Sequence, residues 1–132
     1  MNEKQSGWSD PSRYIEAIYI ERNSGDYDYA QEIAKRAGIR PHLISRDDIP
    51  EIVDGEFPEN YDQGKKVLLL TENRGDFLKK CPGTREYRCC GYQVINVGMG
   101  CPMDCTYCIL QAYLNNPYLS FFTNLEAMFD DI

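Results

Sequence analysis

No stretch of this 132-residue sequence approaches the ~20 consecutive apolar residues that cross a bilayer, and no basic n-region followed by an apolar h-region opens it. From these absences neither a spanning helix nor a secretory leader is expected, and a cytoplasmic protein is the expectation. In that compartment the six cysteines are expected to be reduced, serving as ligands or free thiols rather than disulfides. A calcium loop is also missing. The acids of residues 46–65, Asp47 and Asp48 among them, lack the alternate-position ligand pattern, and Pro50, Gly55, Pro58 and Gly64 mark an irregular, solvated linker. Positive charge is absent from one whole region: residues 91–132 hold four acids and no Lys or Arg, and residues 1–64 hold fourteen acids against seven bases. Residues 65–88 reverse this, with seven bases against three acids. The net charge of −7 argues against simple nucleic-acid binding, but the basic stripe either meets DNA phosphates or forms a solvated face.

What the sequence does hold is Gly100-Cys101-Pro102-Met103-Asp104-Cys105-Thr106-Tyr107-Cys108, three cysteines at the spacing C-x3-C-x2-C with none after them. Soft thiolates favour iron-sulfur clusters or zinc. Three of them hold three irons of a cubane and leave the fourth iron open to a ligand. Zinc is the competing reading, with Cys81, Cys89, Cys90 or His42 as a fourth ligand. Structural zinc sites usually pair two C-x2-C-type knuckles, however, and only one such step is present. Cys89 and Cys90 are adjacent, so in extended chain they point to opposite sides and at most one faces the loop. Reduced packed thiols, auxiliary redox thiols and ligands of a second metal all remain open for them.

This spacing is the signature of the radical S-adenosylmethionine (SAM) enzymes, whose aromatic residue before the third cysteine is matched by Tyr107. The surrounding segment runs from Phe77 through Cys81-Pro82-Gly83, Cys89-Cys90-Gly91 and residues 92–100, then through Cys108-Ile109-Leu110-Gln111 to Pro117. It resembles the spore photoproduct lyase family strongly from Phe77 onward and weakly before it, where Ile18-Tyr19-Ile20-Glu21 and residues 27–31 look like the family's start. The resemblance implies that Cys101, Cys105 and Cys108 hold a [4Fe-4S] cluster whose open iron is chelated by SAM, with Tyr107 against the SAM adenine. It also implies an external electron donor of the flavodoxin or ferredoxin type, and SAM cleaved to a 5'-deoxyadenosyl radical. That radical repairs the spore photoproduct, a thymine dimer in DNA. No residue here matches the family's hydrogen-returning cysteine, so no catalytic residue is assigned. A partial barrel of this kind needs about 200 residues against about 250 for a full eight-fold barrel. The expectation is therefore the N-terminal portion of such an enzyme, incomplete as a barrel, with DNA contacts made largely by the missing remainder. A radical SAM protein with another substrate and a non-catalytic iron-sulfur or zinc module are the alternatives.

The expected fold class is α/β: a small N-terminal βαβ unit, then the first strand, cluster loop and first helices of an incomplete radical SAM (β/α) partial barrel. Residues 1–64 form the N-terminal region with its linker, and residues 65–132 begin the radical SAM domain. A polar lead-in surrounds Trp8. Residues 14–20, rich in β-branched and aromatic side chains, predict a strand. After the turn Asn23-Ser24-Gly25, Asp26 or Asp28 caps a helix carrying Tyr29, Ala30, Ile33, Ala34 and Ala37 on one face and ended by Gly38. Residues 39–45 give a second strand. Residues 66–71, with Val67 and Leu68 to Leu70, predict a strand buried on both faces in a parallel sheet. Residues 92–97 are expected to be the first barrel strand, delivering the cysteine loop at its C-terminal end. Gly98 and Gly100 would let the backbone turn closely round a cluster. Ile109, Leu110, Tyr113 and Leu114 give a helix face broken at Asn115-Asn116-Pro117. Residues 118–122 are extended and aromatic, for core packing or base stacking. The pattern Thr123-Asn124-Leu125-Glu126 predicts a capping box opening a helix through Met128 and Phe129.

Overall fold

The computed structural model describes residues 11–22, 27–81, 83, 85–88, 90–103, 105 and 107–132. The lead-in at Trp8, the turn Asn23-Ser24-Gly25, the Asp26 cap and Cys89 lie outside the described residues. A short 3-10 turn, Pro11–Tyr14, leads into strand β1, Ala17–Glu21, helix α1, Tyr27–Ala37, and strand β2, His42–Ile44. A second 3-10 turn, Arg46–Glu51, and the single-turn helix α2, Tyr61–Gly64, punctuate the linker before β3, Val67–Thr71. Then come β4, Leu78–Lys80, β5, Gln93–Ile95, β6, Gly98–Met99, α3, Leu110–Tyr113, β7, Leu119–Phe122, and α4, Leu125–Asp131.

The principal sheet has the order β2-β1-β3-β7-β6. Its first four strands are parallel, and only the edge strand β6 runs antiparallel, pairing Gly98 with Phe121 and Met99 with Ser120. The expected βαβ unit is present: α1 crosses over between the parallel neighbours β1 and β2. Its apolar stripe supplies Ala30 and Ala34, which pack fully buried with Ile18, Ile20 and Leu70, while Ile33, Ala37, Ile39 and Phe121 close round them. Full burial of each large aliphatic side chain contributes about 1.5–3 kcal/mol, so these few residues carry most of the hydrophobic drive of the N-terminal half. Gly38, at φ +71°, ends α1 in the left-handed conformation that glycine adopts without penalty. The linker residues 46–66 thread β3 in beside β1, so one sheet holds strands from both ends of the sequence.

Two expectations are corrected here. Residues 92–97 do not deliver the cysteine loop as a barrel strand. β5 stands outside the principal sheet, paired antiparallel with β4 as Leu78 to Ile95 and Lys80 to Gln93. Its residues are exposed, because the pairing in a two-stranded ribbon leaves Val94 and Ile95 no second layer to cover them. The strand that runs into the cysteines is β6. The capping box does not form either. Asn124 precedes α4 without a side-chain cap, and Thr123 is fully buried with its hydroxyl donating to the Thr71 carbonyl at 3.3 Å. The hydroxyl is drawn into the end of the sheet, where water cannot replace its partner. Asn124 does other work: its Nδ2 donates to the Asn73 carbonyl at 2.8 Å and its Oδ1 accepts from the Asn73 amide at 2.9 Å. Together with Asp131, which accepts from the Phe77 amide at 2.9 Å, this ties α4 to the segment after β3.

Helix α2 is fixed by contact rather than by length. A Cβ at Gly64 would lie 2.2 Å from the Pro117 carbonyl oxygen, so only glycine lets α2 approach the segment that leads into β7. Helix propensity alone would make Gly64→Ala stabilising by about 1 kcal/mol. The clash reverses the sign, and a loss of about 1–3 kcal/mol is expected in urea unfolding. A gain in stability would mean that α2 and residue 117 separate freely.

Candidate metal centre

The parallel strands give the sheet two chemically distinct ends. At the C-terminal ends of β1 and β3 lies a buried polar cluster around Glu21, which is only 3% exposed. Its carboxylate accepts from the Arg46 Nε at 2.8 Å, from the Thr71 hydroxyl and from the Glu72 amide at 3.4 Å. Arg74 stands 3.8 Å away. Burial pushes the Glu21 carboxyl up, but the hydrogen bonds from Thr71, Arg46 and Glu72 and the charge of Arg46 outweigh it and hold the group below its ordinary value. This is an internally satisfied cluster.

The cysteine loop lies at the other end. It leaves the C-terminal end of β6 and returns through α3 to the start of β7, which places it beside the N-terminal ends of β1 and β3. A cavity of about 520 Å³ there is lined by Arg13, Tyr14, Glu16, Asp62, Lys65 and Pro102 among others, so residues before β1, on α2 and on the loop share one wall. The expected role of Gly98 and Gly100 changes accordingly. A Cβ on Gly98 would sit 2.3 Å from the Ser120 carbonyl oxygen, and one on Gly100, at φ +93°, 2.9 Å from Leu119. Close approach to β7 is what these two glycines answer to.

Cys101, Cys105 and Cys108 are thiols outside any disulfide. Cys101 and Cys108 are half-buried and Cys105 is exposed. Tyr107, beside them, is 97% exposed and offers an unobstructed ring. Three soft donors within eight residues are the donor set that a [4Fe-4S] cluster takes, so the residues fit that group by their chemistry. Among the described residues, no three His, Cys, Asp or Glu side chains are gathered closely enough to hold a metal ion.

One residue of this site carries no signal in the sequence. Tyr61, the first residue of α2, is 4% exposed, and its hydroxyl has no hydrogen-bond partner of good geometry. Its ring packs edge-on to Phe57 at 5.8 Å between centroids and lies under the Lys65 ammonium at 4.6 Å. Burial raises the pKa of the hydroxyl, and the Cys108 thiol raises it further, while Lys65 opposes them and Cys101 adds a smaller push upward. The buried hydroxyl is therefore harder to ionise than that of an ordinary tyrosine. A lone tyrosine in a linker has no motif, and only its burial against Phe57 and Lys65 in the folded chain reveals it.

The basic stripe divides. Lys65 pairs with Asp62 at 3.7 Å, Lys66 with Glu16 at 2.8 Å, and Arg74 faces Glu21. Lys79, Lys80, Arg85 and Arg88 are exposed on and beyond β4. Among the described residues no helix is long and apolar enough to cross a membrane.

The parallel α/β sheet, with its edge strand running into a three-cysteine loop, is a fold that this chain shares with solved structures. Structures of spore photoproduct lyase are among those that share it. One, complexed with dinucleoside spore photoproduct, is 23% identical, with a TM-score of 0.65 over 89% of this chain and 34% of that chain. A double mutant with bound AdoMet and the same dinucleoside is 23% identical, with a TM-score of 0.67 over the same shares of the two chains. The chain therefore spans 34% of the length of these structures. No family model and no curated protein matches it.

Proposed function

We propose that this chain is the cluster-bearing part of a radical SAM protein of the spore photoproduct lyase type, acting on the thymine dimer of that name in DNA. One coincidence carries the reading. The C-x3-C-x2-C segment falls within a fold shared, over 89% of the chain, with structures that bind AdoMet and the dinucleoside lesion. Cys101, Cys105 and Cys108 would hold the [4Fe-4S] cluster. When bound, that group supplies the electron that cleaves SAM to a 5'-deoxyadenosyl radical, an external donor of the flavodoxin or ferredoxin type having delivered it.

The residues of this chain do the rest. Tyr107 would hold the adenine of SAM, for which its exposed ring is free. Gly98 and Gly100 hold the loop's entry against β7, so the first cysteine is anchored to the sheet while the third is anchored through α3. Lys79, Lys80, Arg85 and Arg88 present positive charge suited to DNA phosphates, which ion pairs deny to Lys66 and Arg74. Val94, Ile95, Met103, Ile109 and Tyr113 are large apolar side chains left in solvent. Exposed apolar side chains of this kind are suited to packing against further parts of a larger fold.

Anaerobic reconstitution with iron and sulfide, followed by electron paramagnetic resonance of the reduced protein before and after adding SAM, tests the reading. A [4Fe-4S] signal that changes shape with SAM is the expected result. Uptake of zinc alone overturns it. A cluster that ignores SAM assigns the chain to cluster binding without SAM chemistry.

A further inference from the structure

The cavity between the residues before β1, α2 and the cysteine loop has no part in the proposed function. Its volume of about 520 Å³ falls within the range of about 300–1,000 Å³ of pockets that hold small ligands. Its lining is of two kinds. Tyr14, Ile15 and Pro102 supply ring and apolar surface, while three cations, Arg13, Lys65 and Lys66, stand against two carboxylates, Glu16 and Asp62. Lys66 is matched by Glu16 at 2.8 Å. Lys65 has Asp62 at 3.7 Å, but that carboxylate is 89% exposed and heavily screened by water. Arg13 is exposed and, among the described residues, pairs with no carboxylate. One positive charge is therefore in surplus, beside a tyrosine ring that is 62% exposed.

A planar guanidinium with two ammonium groups at the same wall suits an anion with several oxygens, and phosphate is such a group. A flat ring beside it suits a base, which stacks whatever its identity. We propose that this cavity binds a nucleotide unit, its phosphate on Arg13 beside Lys65 and Lys66 and its base on Tyr14. Glu16 and Asp62 hold the excess to a single positive charge, so one phosphate is matched and a chain of phosphates is not. The unit belongs either to a free mononucleotide or to a strand of nucleic acid. None of these residues is a cluster ligand in the proposed function, so the site is independent of the metal.

Isothermal titration calorimetry of the metal-free full chain with guanosine 5'-monophosphate tests the site, and amide chemical shifts locate it. Saturable binding is expected, with the shifts gathered at residues 13–16 and 62–66. Guanosine and inorganic phosphate should each bind about tenfold more weakly or worse, because each keeps only one of the two contacts. Guanosine 5'-triphosphate should bind no more tightly than the monophosphate. Arg13→Gln should weaken monophosphate binding about tenfold, the usual loss for a hydrogen bond to a charged group. Tyr14→Leu should weaken it about fivefold or more through lost stacking. Lys35→Gln removes one exposed charge from α1, outside the cavity, and should leave the affinity unchanged.

A short single-stranded deoxyoligonucleotide separates the two sources. Tighter binding than the monophosphate, with the same shifts, assigns the unit to a strand, and weaker binding assigns it to a free nucleotide; either result upholds the site. Three results overturn it: no saturation by about 10 mM monophosphate, shifts that map away from the cavity, or equal losses in Lys35→Gln and Arg13→Gln. If Tyr14→Leu does not fold, Arg13→Gln, at an exposed position, decides alone.

Discussion

Cys105→Ala is expected to abolish cluster incorporation while leaving the fold untouched. Cys105 is exposed on the loop, so its thiol contributes no burial and the change in unfolding free energy should stay within about 0.5 kcal/mol. Its loss removes one of three thiolates, and two cannot hold three irons. Bound iron and sulfide should fall to background, and the electron paramagnetic resonance of the reduced protein should vanish, with circular dichroism unchanged. Cys108→Ala should have the same effect on iron but a larger one on stability, since that side chain is half-buried. Cys90→Ala is the control. Cys90 is exposed outside the loop, and its removal should leave cluster content intact; iron loss equal to that of Cys105→Ala would mean that the ligand set extends beyond the loop.

Arg46→Ala is expected to be the most destabilising change at the opposite end of the sheet. The Arg46 side chain is 39% exposed, so its own desolvation is modest, whereas the Glu21 carboxylate that it serves is 3% exposed. Removing the cation leaves a buried charge with only the Thr71 hydroxyl, the Glu72 amide and the more distant Arg74. Breaking a fully buried pair costs about 3–5 kcal/mol. With those remaining partners and the exposure of Arg46, about 2–3 kcal/mol is expected in urea unfolding at pH 7.

The pH dependence identifies the cause. The folded-state pKa of Glu21 lies below its ordinary value of 4.5, so the unfolded chain takes up this proton first as pH falls. The contribution of Glu21 to stability is therefore fully present above 4.5 and is lost as pH falls through the lower folded value. Wild type should lose stability in that acid window more steeply than Arg46→Ala, and the gap between them should narrow. A gap that stays constant from neutral pH down through the window would assign the loss to packing of the arginine stem instead of to its charge.

The separation of these two centres was only partly legible. Residues 14–20 and 66–71 read as strands because β1 and β3 are central: β1 alternates half-buried and buried positions around Ile18 and Ile20, and β3 is an apolar run of Val67 and three leucines. The helix between Tyr27 and Ala37 was legible from its apolar spacing and from Gly38, both local properties. Residues 92–97 have the same β-forming composition, yet the resulting strand sits in a two-stranded ribbon. Composition reports what a segment forms, not which neighbour it pairs with. Thr123 and Glu126 satisfied a local capping pattern, but the end of β3 offered Thr123 a buried acceptor and won.

The order of the chain by itself determined the three-cysteine loop, the parallel α/β character and the crossover helix, because ligand spacing, strand burial and helical periodicity are short-range features of a sequence. Tertiary structure alone decided three things: that β7 and β6 extend the first sheet, that the loop lies at the N-terminal ends of β1 and β3, and that α2 packs against Pro117. Each depends on two segments far apart in the sequence meeting in space, and for α2 on the missing Cβ of Gly64 that lets it lie against Pro117.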